Sequence, residues 1–293
     1  MYYRRKIILA LLETWGGKLS NITFQKLLFL FCQSQKKPSF SFVPYKYGCF
    51  SFQSYMDKRA LVFYGNLASV KNWHKTDTKS YIRELGENDK VTLNNLKADF
   101  RNYSQRKLIR YIYKKYPYYA TRSEIAGKYL NKAELQKVKK TKSLDESFCL
   151  STIGYEGISI DDYLNKLVVN NIKLVCDVRK NPISMKFGFS KQQLRKHLEK
   201  INVDYVHIPD LGIESEKRQD LNSQKDYKHL FSWYEKNVLP QKEPFLEQLI
   251  SHLKKYKRIA LTCFESSHFN CHRHKVVNAL IPKITFDYKS LNL

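Results

Sequence analysis

Residues 262–274, which read TCFESSHFNCHRH, hold the densest group of reactive side chains in the sequence. Two thiols, a carboxylate, several imidazoles and a guanidinium lie close together there, and packing alone rarely requires such a set. The apolar run at residues 259–262 predicts a buried strand before them, and residues 276–280 predict a helix after them. Open α/β sheets build binding sites from a strand end, a loop and a following helix. The sequence therefore predicts a functional site at this strand end.

The side chains of this segment allow several kinds of catalysis. Cys263 could act as a nucleophile, with His272 or His207 as its general base. Glu265 lies two residues after Cys263, so both side chains could face one crevice and Glu265 could be a catalytic carboxylate. Arg273 could bind a substrate phosphate, or it could only hydrogen-bond and pack at the start of the helix.

A zinc site is a further interpretation of the same residues. Cys263, Cys271 and His272 offer the thiolate and imidazole ligands that zinc prefers. Their spacing matches no common zinc finger, and His268 or His274 would have to supply a fourth ligand. Because the spacing offers no evident fourth ligand, the sequence predicts that the site holds no metal and no cofactor. A bound divalent metal remains an open alternative.

Residues 148–293 alternate between strand-like and helix-like segments. The predicted strands are residues 149–154, 172–178, 203–208 and 259–263, with an edge strand at 285–287. The predicted helices are residues 159–170, 191–200, 244–255 and 273–280. This alternation predicts an α/β fold with a Rossmann-like, mostly parallel sheet, whose ligands bind at the carboxyl ends of the strands.

Polar residues follow each predicted strand. Asp177 and Arg179 flank one residue, so they could form a structural ion pair, or Asp177 could be catalytic while Arg179 binds phosphate. Gly154 would let a ligand approach the backbone closely, or would only form a tight turn. The predicted catalytic residues are Glu156, Asp177, His207, Cys263 and Glu265. The predicted substrate-binding residues are Gly154, Tyr155, Arg179, Cys271, His272 and Arg273.

The net charge of +25 over 293 residues is typical of proteins that bind polyanions. Residues 1–150 hold 29 Lys and Arg against 11 Asp and Glu, whereas residues 151–293 hold 23 against 16. The first half is therefore the stronger electrostatic anchor, and nucleic acid, DNA in particular, is the predicted partner. A lysine-rich genome would produce the same excess without any such partner.

Cations and tyrosines alternate in residues 100–140, which look helical. Aromatic faces can stack on bases while cations contact phosphates. An amphipathic helix with a solvated charged face is the alternative, and residues 123–126 could begin the next helix of a winged or helix-turn-helix arrangement. The predicted nucleic-acid-binding residues are Arg110, Lys114, Lys115, Tyr118, Tyr119 and Arg122, with Lys191 beside the second strand end.

The charged segment at residues 131–147 predicts a boundary between two domains. Residues 1–145 would form a mainly helical, basic domain and residues 148–293 the α/β domain. No apolar run is long enough for a membrane span, the N-terminus has no signal-peptide pattern, and the six cysteines are scattered. These features predict a cytoplasmic protein with reduced thiols and no membrane partner.

Two resemblances to known families add to these predictions. The ordered motifs TIGYEG, DVRKNPIS, FGFSKQQL, YVHIPDLG and TCFE with CHRH make residues 150–282 resemble the bacterial domain of unknown function 488. That resemblance implies a Rossmann-like domain with a polar pocket and no single assigned chemistry. FQKLLFL followed by FVPYKYGCFS makes residues 5–70 resemble the helical domain of Panacea-type antitoxins. This second resemblance implies macromolecular contacts, through a protein partner or a homo-oligomer.

Together these features favour a DNA-binding enzyme. Its predicted reaction is hydrolysis of the N-glycosidic bond of a modified base, which requires the nucleotide to leave the stack. A role in antiphage defence is suggested by analogy with other fusions of this kind. A metal-dependent nuclease, a DNA-binding sensor of a nucleotide and an antitoxin-like binding protein are the alternatives.

Overall fold

The computed structural model of the protein describes residues 1–142, 145–218, 221, 223–267 and 271–293. The chain divides into two compact units, Met1–Lys142 and Ser143–Leu293. The first unit is mainly helical and the second is built around a parallel sheet.

The helices of the first unit are α1 (Tyr3–Thr14), α2 (Asn21–Ser34), α3 (Phe52–Phe63), α4 (Glu87–Phe100), α5 (Gln105–Lys115), α6 (Ala126–Tyr129) and α7 (Lys132–Lys140). Two short antiparallel ribbons accompany them. Strand β1 (Lys18–Leu19) pairs with β4 (Trp73–His74), and β2 (Val43–Tyr45) pairs with β3 (Gly48–Phe50).

Helix α2 lies at the centre of the core of this unit. Ser20 caps it, because its side-chain oxygen accepts the backbone N–H of Thr23 at 3.2 Å. Its apolar run from Phe24 to Cys32 is buried, and α1, α4 and α5 pack around it. The hydrophobic sequence of α2 therefore organises the unit, and the polar faces of the surrounding helices remain outside.

Two details of the first unit differ from the sequence predictions. The polar segment at residues 71–98 indicates only a weak strand or turn, yet Glu87–Phe100 forms helix α4, because Leu93, Leu96 and Phe100 follow a helical spacing and are buried. Helix α6 has only four residues, and is therefore too short for the recognition helix of a helix-turn-helix.

Lys58 in α3 is a buried lysine, 1% exposed. Its Nζ lies 4.4 Å from the ring centroid of Trp73 and 3.1 Å from Asn21 Oδ1. Burial lowers the pKa of Lys58 to about 8 from an ordinary 10.5.

This lowered pKa predicts a rise of stability with pH. Between about pH 8 and pH 10 the unfolded chain holds a proton at Lys58 that the folded chain has released, so the free energy of unfolding should increase through this window. Urea unfolding at several pH values should show the increase, and Lys58→Met should reduce it. The exposed Lys97→Met serves as the control. An unchanged increase in Lys58→Met would contradict the prediction.

The second unit contains a five-stranded sheet in the order β7-β6-β8-β5-β9. The strands are β5 (Cys149–Gly154), β6 (Leu174–Asp177), β7 (Asp204–His207), β8 (Arg258–Cys263) and β9 (Lys289–Asn292), and every neighbouring pair is parallel. The helices are α8 (Ile160–Val169), α9 (Lys191–Lys200), α10 (Gln224–Trp233), α11 (Glu243–Tyr256) and α12 (Arg273–Leu280). The predicted α/β fold with a parallel sheet is confirmed.

Two elements of this unit were predicted wrongly or missed. The edge strand is β9 at residues 289–292, whereas the predicted residues 285–287 form no strand. Helix α10 was not predicted, although Ser223 and Asp226 form its capping box, which is a helix-start signal in the sequence.

Strand β8 lies between β5 and β6, and this order positions the site. Gly154 at the end of β5 pairs with Cys263, and Asp177 at the end of β6 pairs with Thr262. The segments that follow these strand ends therefore meet at one edge of the sheet, as the parallel alternation predicted.

Candidate functional site

The backbone after β8 is fastened to the end of β5. The carbonyl of Phe264 accepts the N–H groups of Tyr155 at 3.0 Å and of Glu156 at 2.9 Å. A Cβ at Gly154 would lie 1.8 Å from the carbonyl oxygen of Glu265, so this close approach needs glycine. Gly154, predicted to contact a substrate, here makes room for the loop that carries Glu265.

Arg273 holds the same loop in place. Its side chain is fully buried, and it donates to the carbonyl of Ser266 at 3.0 Å and to the carbonyl of Glu265. The guanidinium therefore ties two backbone carbonyls of the loop after β8 to the first residue of α12. Arg273 was predicted to bind substrate phosphate, and the structure gives it the role of a positioning residue for Glu265.

Asp177 forms a buried ion pair with Arg179. Its Oδ1 accepts the Arg179 Nε at 2.8 Å and the Arg179 backbone N–H at 3.1 Å, and its Oδ2 accepts the Arg179 Nη2 at 2.5 Å. The hydroxyl of Tyr205 donates to the same Oδ2 at 2.7 Å. The remaining Nη1 of Arg179 donates to the hydroxyl of Tyr155 at 2.8 Å and the carbonyl of Phe189 at 2.9 Å.

This geometry corresponds to the structural ion pair rather than to a catalytic carboxylate. Asp177 is 0% exposed and both of its oxygens accept strong hydrogen bonds, so neither is available to activate water. Arg179 is 5% exposed, and Tyr155 is 2% exposed and stacks on Phe189. These residues form the rigid wall of the site.

His207 and Lys191 form a second polar link near the ends of β6 and β7. The Nζ of Lys191 lies 3.0 Å from His207 Nδ1, and His207 Nε2 lies 2.9 Å from the carbonyl oxygen of Arg179. A carbonyl can only accept, so Nε2 carries the proton and Nδ1 accepts from Lys191. Both ring nitrogens of His207 are engaged, which favours a positioning role over the predicted acid–base role.

Cys263, Cys271 and His272 form a buried cluster beside Glu265. The Nδ1 of His272 lies 3.8 Å from the sulfur of Cys263 and 3.9 Å from the sulfur of Cys271. A hydrogen bond from the Cys271 thiol lowers the pKa of Cys263 well below its ordinary value, although burial opposes this. Burial, together with that hydrogen bond, raises the pKa of Cys271. The sequence placed these residues near one another, and the structure brings their reactive atoms together.

Glu265 is only 8% exposed, but of the three predicted carboxylates it is the one that lines the cavity at this strand end. This main cavity of the second unit has a volume of about 360 Å³, and its lining includes Tyr155, Lys180, Met185, Arg218, Cys263 and Phe264. Glu265 also lines a side cavity of about 330 Å³, together with Glu156. Arg218 forms an ion pair with Glu265 Oε1, while the Cys263 sulfur lies 3.3 Å from Oε2.

Glu156 is exposed, in contrast to the other two predicted carboxylates. Its Oε2 accepts the backbone N–H of Ser266 at 3.0 Å. Glu156 therefore helps to hold the loop after β8, and one of its oxygens is used for that purpose.

The predicted nucleic-acid-binding residues of the first unit lie around α5. Arg110 donates to Glu134 at 2.9 Å and Lys114 lies 3.6 Å from the same carboxylate, so these two cations also hold α7 against α5. Lys115 is exposed and donates to the hydroxyl of Tyr111 at 3.1 Å.

The other aromatic and basic residues of that prediction are less accessible. Tyr119 packs edge-on against Phe29 with ring centroids 4.6 Å apart, so it belongs partly to the core. Tyr118 and Arg122 are half-buried, and burial lowers the pKa of Arg122. The exposed cations of α5 therefore remain the best phosphate-binding candidates of this set, and the tyrosines serve mainly in packing.

Several residues of the site were not predicted from the sequence. Arg218 ends a short 3-10 helix, Ser215–Arg218, and lies 47 residues before Glu265, so only the fold shows that the two side chains meet. Ile183 and Met185 are 83% and 102% exposed at the main cavity. Apolar residues inside the polar segment at 180–190 were the signal that could have drawn attention to them. His268 lies outside the described residues.

The fold and the site together define an α/β domain of Rossmann-like type with a polar crevice at the carboxyl edge of its sheet. Residues 159–280 match the family model described as Domain of unknown function DUF488. This match confirms the resemblance of the second unit, whereas the resemblance of residues 5–70 to Panacea-type antitoxins stays a prediction. No significant match was found among curated proteins or among solved structures. In the part of the chain described, none of the helices combines the length and hydropathy that a membrane crossing requires.

Proposed function

We propose that the protein is a hydrolase acting on nucleic acid, and that its second unit cleaves the N-glycosidic bond of a nucleotide taken into the main cavity. The observation that carries this proposal is the position of Glu265. Of the three carboxylates at the strand ends, Asp177 is saturated by hydrogen bonds and Glu156 lies on the loop surface, whereas Glu265 borders the main cavity.

A carboxylate in this place has a direct chemical use. In N-glycosidic hydrolysis it can accept a proton from the attacking water or stabilise the positive charge that develops on the sugar. Arg218 holds one oxygen of Glu265, and Arg273 and Gly154 hold its backbone, so the carboxylate is fixed before a substrate arrives. Such preorganisation supports a catalytic role for Glu265 more than a structural one.

The walls of the main cavity fit a nucleotide. Its volume of about 360 Å³ is at the lower end of the range for ligand pockets, which suits one nucleotide rather than a large cofactor. Phe264 is 44% exposed beside it and offers a face on which a base could stack. Lys180 and Arg218 supply positive charge for a flanking phosphate.

The rim of the cavity supports extrusion of the nucleotide from a duplex. Ile183 and Met185 are strongly exposed apolar side chains on one loop. Proteins that unstack DNA insert apolar side chains of this kind between bases, and an enzyme that acts on an extruded base must fill the gap it leaves. The excess positive charge of residues 1–150 would supply the accompanying phosphate contacts.

The site supports a metal-dependent nuclease less well than it supports hydrolysis of the N-glycosidic bond. Divalent metal nucleases hold hard cations with several carboxylate oxygens. In the described parts of the chain, Asp177 is paired with Arg179 and the cluster with metal-ligand geometry consists of thiols and an imidazole. Such soft donors do not favour magnesium.

Lys180→Gln tests the phosphate contact at the cavity. Binding should weaken for all sequences alike, and the slope of log K against log salt should fall by about 1, because one phosphate contact is lost. Fluorescence anisotropy with a labelled duplex at several salt concentrations measures both quantities. Lys254→Gln is the matched control, since Lys254 is exposed on α11 shortly before β8 begins, at the opposite edge of the sheet. An unchanged slope in Lys180→Gln would remove Lys180 from the interface.

The reaction itself is tested on labelled DNA with ordinary and with modified bases. N-glycosidic cleavage leaves abasic sites, so strand breaks should appear on a denaturing gel only after alkali, and EDTA should not abolish them. Direct breaks that EDTA abolishes would instead establish a nuclease. DNA that is retarded on a native gel but remains intact would favour the alternative of a DNA-binding sensor of a nucleotide.

A further inference from the structure

We propose that Cys263, Cys271 and His272 bind one zinc ion at the carboxyl end of β8. The three donor atoms lie within 4.8 Å of one another, and all three residues are buried. Two thiols and one imidazole form a soft donor set, which selects zinc over magnesium, calcium or manganese. This inference concerns metal binding and does not depend on the proposed reaction.

The distances agree with a tetrahedral zinc site. Zinc–sulfur bonds of about 2.3 Å and zinc–nitrogen bonds of about 2.0–2.1 Å place sulfur and nitrogen about 3.6 Å apart around a tetrahedral ion. The Nδ1 of His272 lies 3.8 Å from the Cys263 sulfur and 3.9 Å from the Cys271 sulfur. Shifts of a few tenths of an ångström would therefore complete the geometry.

The orientation of His272 is already the one that a metal ligand needs. Its Nε2 lies 3.0 Å from the carbonyl oxygen of Val178, which can only accept a hydrogen bond, so Nε2 carries the proton. The lone pair of Nδ1 is thereby directed at the two sulfur atoms. A backbone carbonyl that accepts from the far nitrogen is one of the usual partners of a metal-ligating histidine.

One of the three ligands, Cys263, lines the main cavity, so the fourth coordination position is expected on that side. Cys263 and Glu265 both line that cavity, and Glu265 Oε2 lies 3.3 Å from the Cys263 sulfur. Three protein ligands leave the fourth position of a four-coordinate zinc ion to water or to another ligand. We therefore expect an exchangeable water or a ligand oxygen at this position, beside Glu265.

Metal analysis of the full chain, with any histidine tag removed, tests the inference. Inductively coupled plasma mass spectrometry should find about one zinc per chain, and Cys271→Ser and His272→Ala should each lose it. Cys149→Ser is the matched control, because Cys149 is a buried cysteine of β5 that lies outside the cluster. Circular dichroism would show that each variant is folded.

Cobalt titration of the unaltered chain provides a second readout, which is independent of the variants. After removal of metal with a chelator, added cobalt should produce the intense visible bands of a tetrahedral ion and a sulfur-to-metal charge-transfer band. Folded protein without zinc and without these bands would overturn the inference, as would a Cys263–Cys271 disulfide in protein purified under reducing conditions. Zinc retained by Cys271→Ser would overturn it too. Base release is measured separately, so its failure would leave the zinc count unaffected.

Discussion

Replacing Glu265 by Gln is expected to lower the rate of base release by about 10²–10⁴-fold, the usual contribution of a positioned acid–base group. The amide keeps the size of the side chain but can neither accept a proton nor carry the negative charge that stabilises a developing cation. The rate is measured under single-turnover conditions, as alkali-sensitive breaks per unit time, with DNA affinity measured in parallel. The affinity should change far less than the rate, because Glu265 is proposed to act on the reacting atoms.

The matched control for this prediction is Glu156→Gln. Glu156 lies on the same edge of the sheet and lines the side cavity, but its oxygen is bound to the backbone N–H of Ser266. Its replacement should change the rate by less than about tenfold, or less than about 1.4 kcal/mol in the barrier. Equal losses in both variants would mean that the loop after β8, rather than the Glu265 carboxylate, was disturbed. A larger loss for Glu156→Gln than for Glu265→Gln would mean that Glu156 is the catalytic carboxylate.

Asp177→Asn is expected to lower the free energy of unfolding of the second unit by about 3–5 kcal/mol. The substitution leaves the buried guanidinium of Arg179 without its counter-charge, and breaking one partner of a buried pair typically costs this much. Since whole domains are stable by only about 5–15 kcal/mol, the unit should unfold at a much lower urea concentration. Urea unfolding followed by circular dichroism measures the change.

Tyr205→Phe is the control for Asp177. It removes one hydrogen bond to the same carboxylate and keeps the ion pair, so the expected loss is about 1 kcal/mol. If Asp177→Asn kept its stability but lost base release, Asp177 would be the catalytic carboxylate that the sequence first suggested. Loss of stability with activity retained at low temperature supports the structural ion pair.

The sequence predicted much of the second unit because its signals are local. Apolar runs of strand length alternate with amphipathic helices, and this alternation has few solutions other than a parallel sheet. Strand β5 and helices α9 and α12 begin and end at the predicted residues. The edge strand β9 was misplaced, because its sequence, KSLN, carries little hydrophobic signal and its pairing with β5 is a tertiary property.

The roles within the site could not be predicted in the same way. Asp177 and Arg179 have the residue types of a catalytic pair, and only the full set of hydrogen bonds shows that both are satisfied internally. Arg273 was predicted to bind a substrate phosphate. In the structure it is buried and donates instead to backbone carbonyls of the loop that carries Glu265. Arg218 has no local signal at all, because its contact with Glu265 joins residues that are 47 positions apart in the chain.

The most direct measurement of the central claim is mass spectrometry of the small molecules released when the purified protein is incubated with duplex DNA that carries ordinary or modified bases. If the second unit cleaves the N-glycosidic bond, free base should accumulate in step with abasic sites. EDTA added during the reaction should not prevent this accumulation, and Glu265→Gln should abolish most of it. Release of nucleotides or of shorter strands without free base would contradict the account and establish cleavage of the phosphodiester backbone instead.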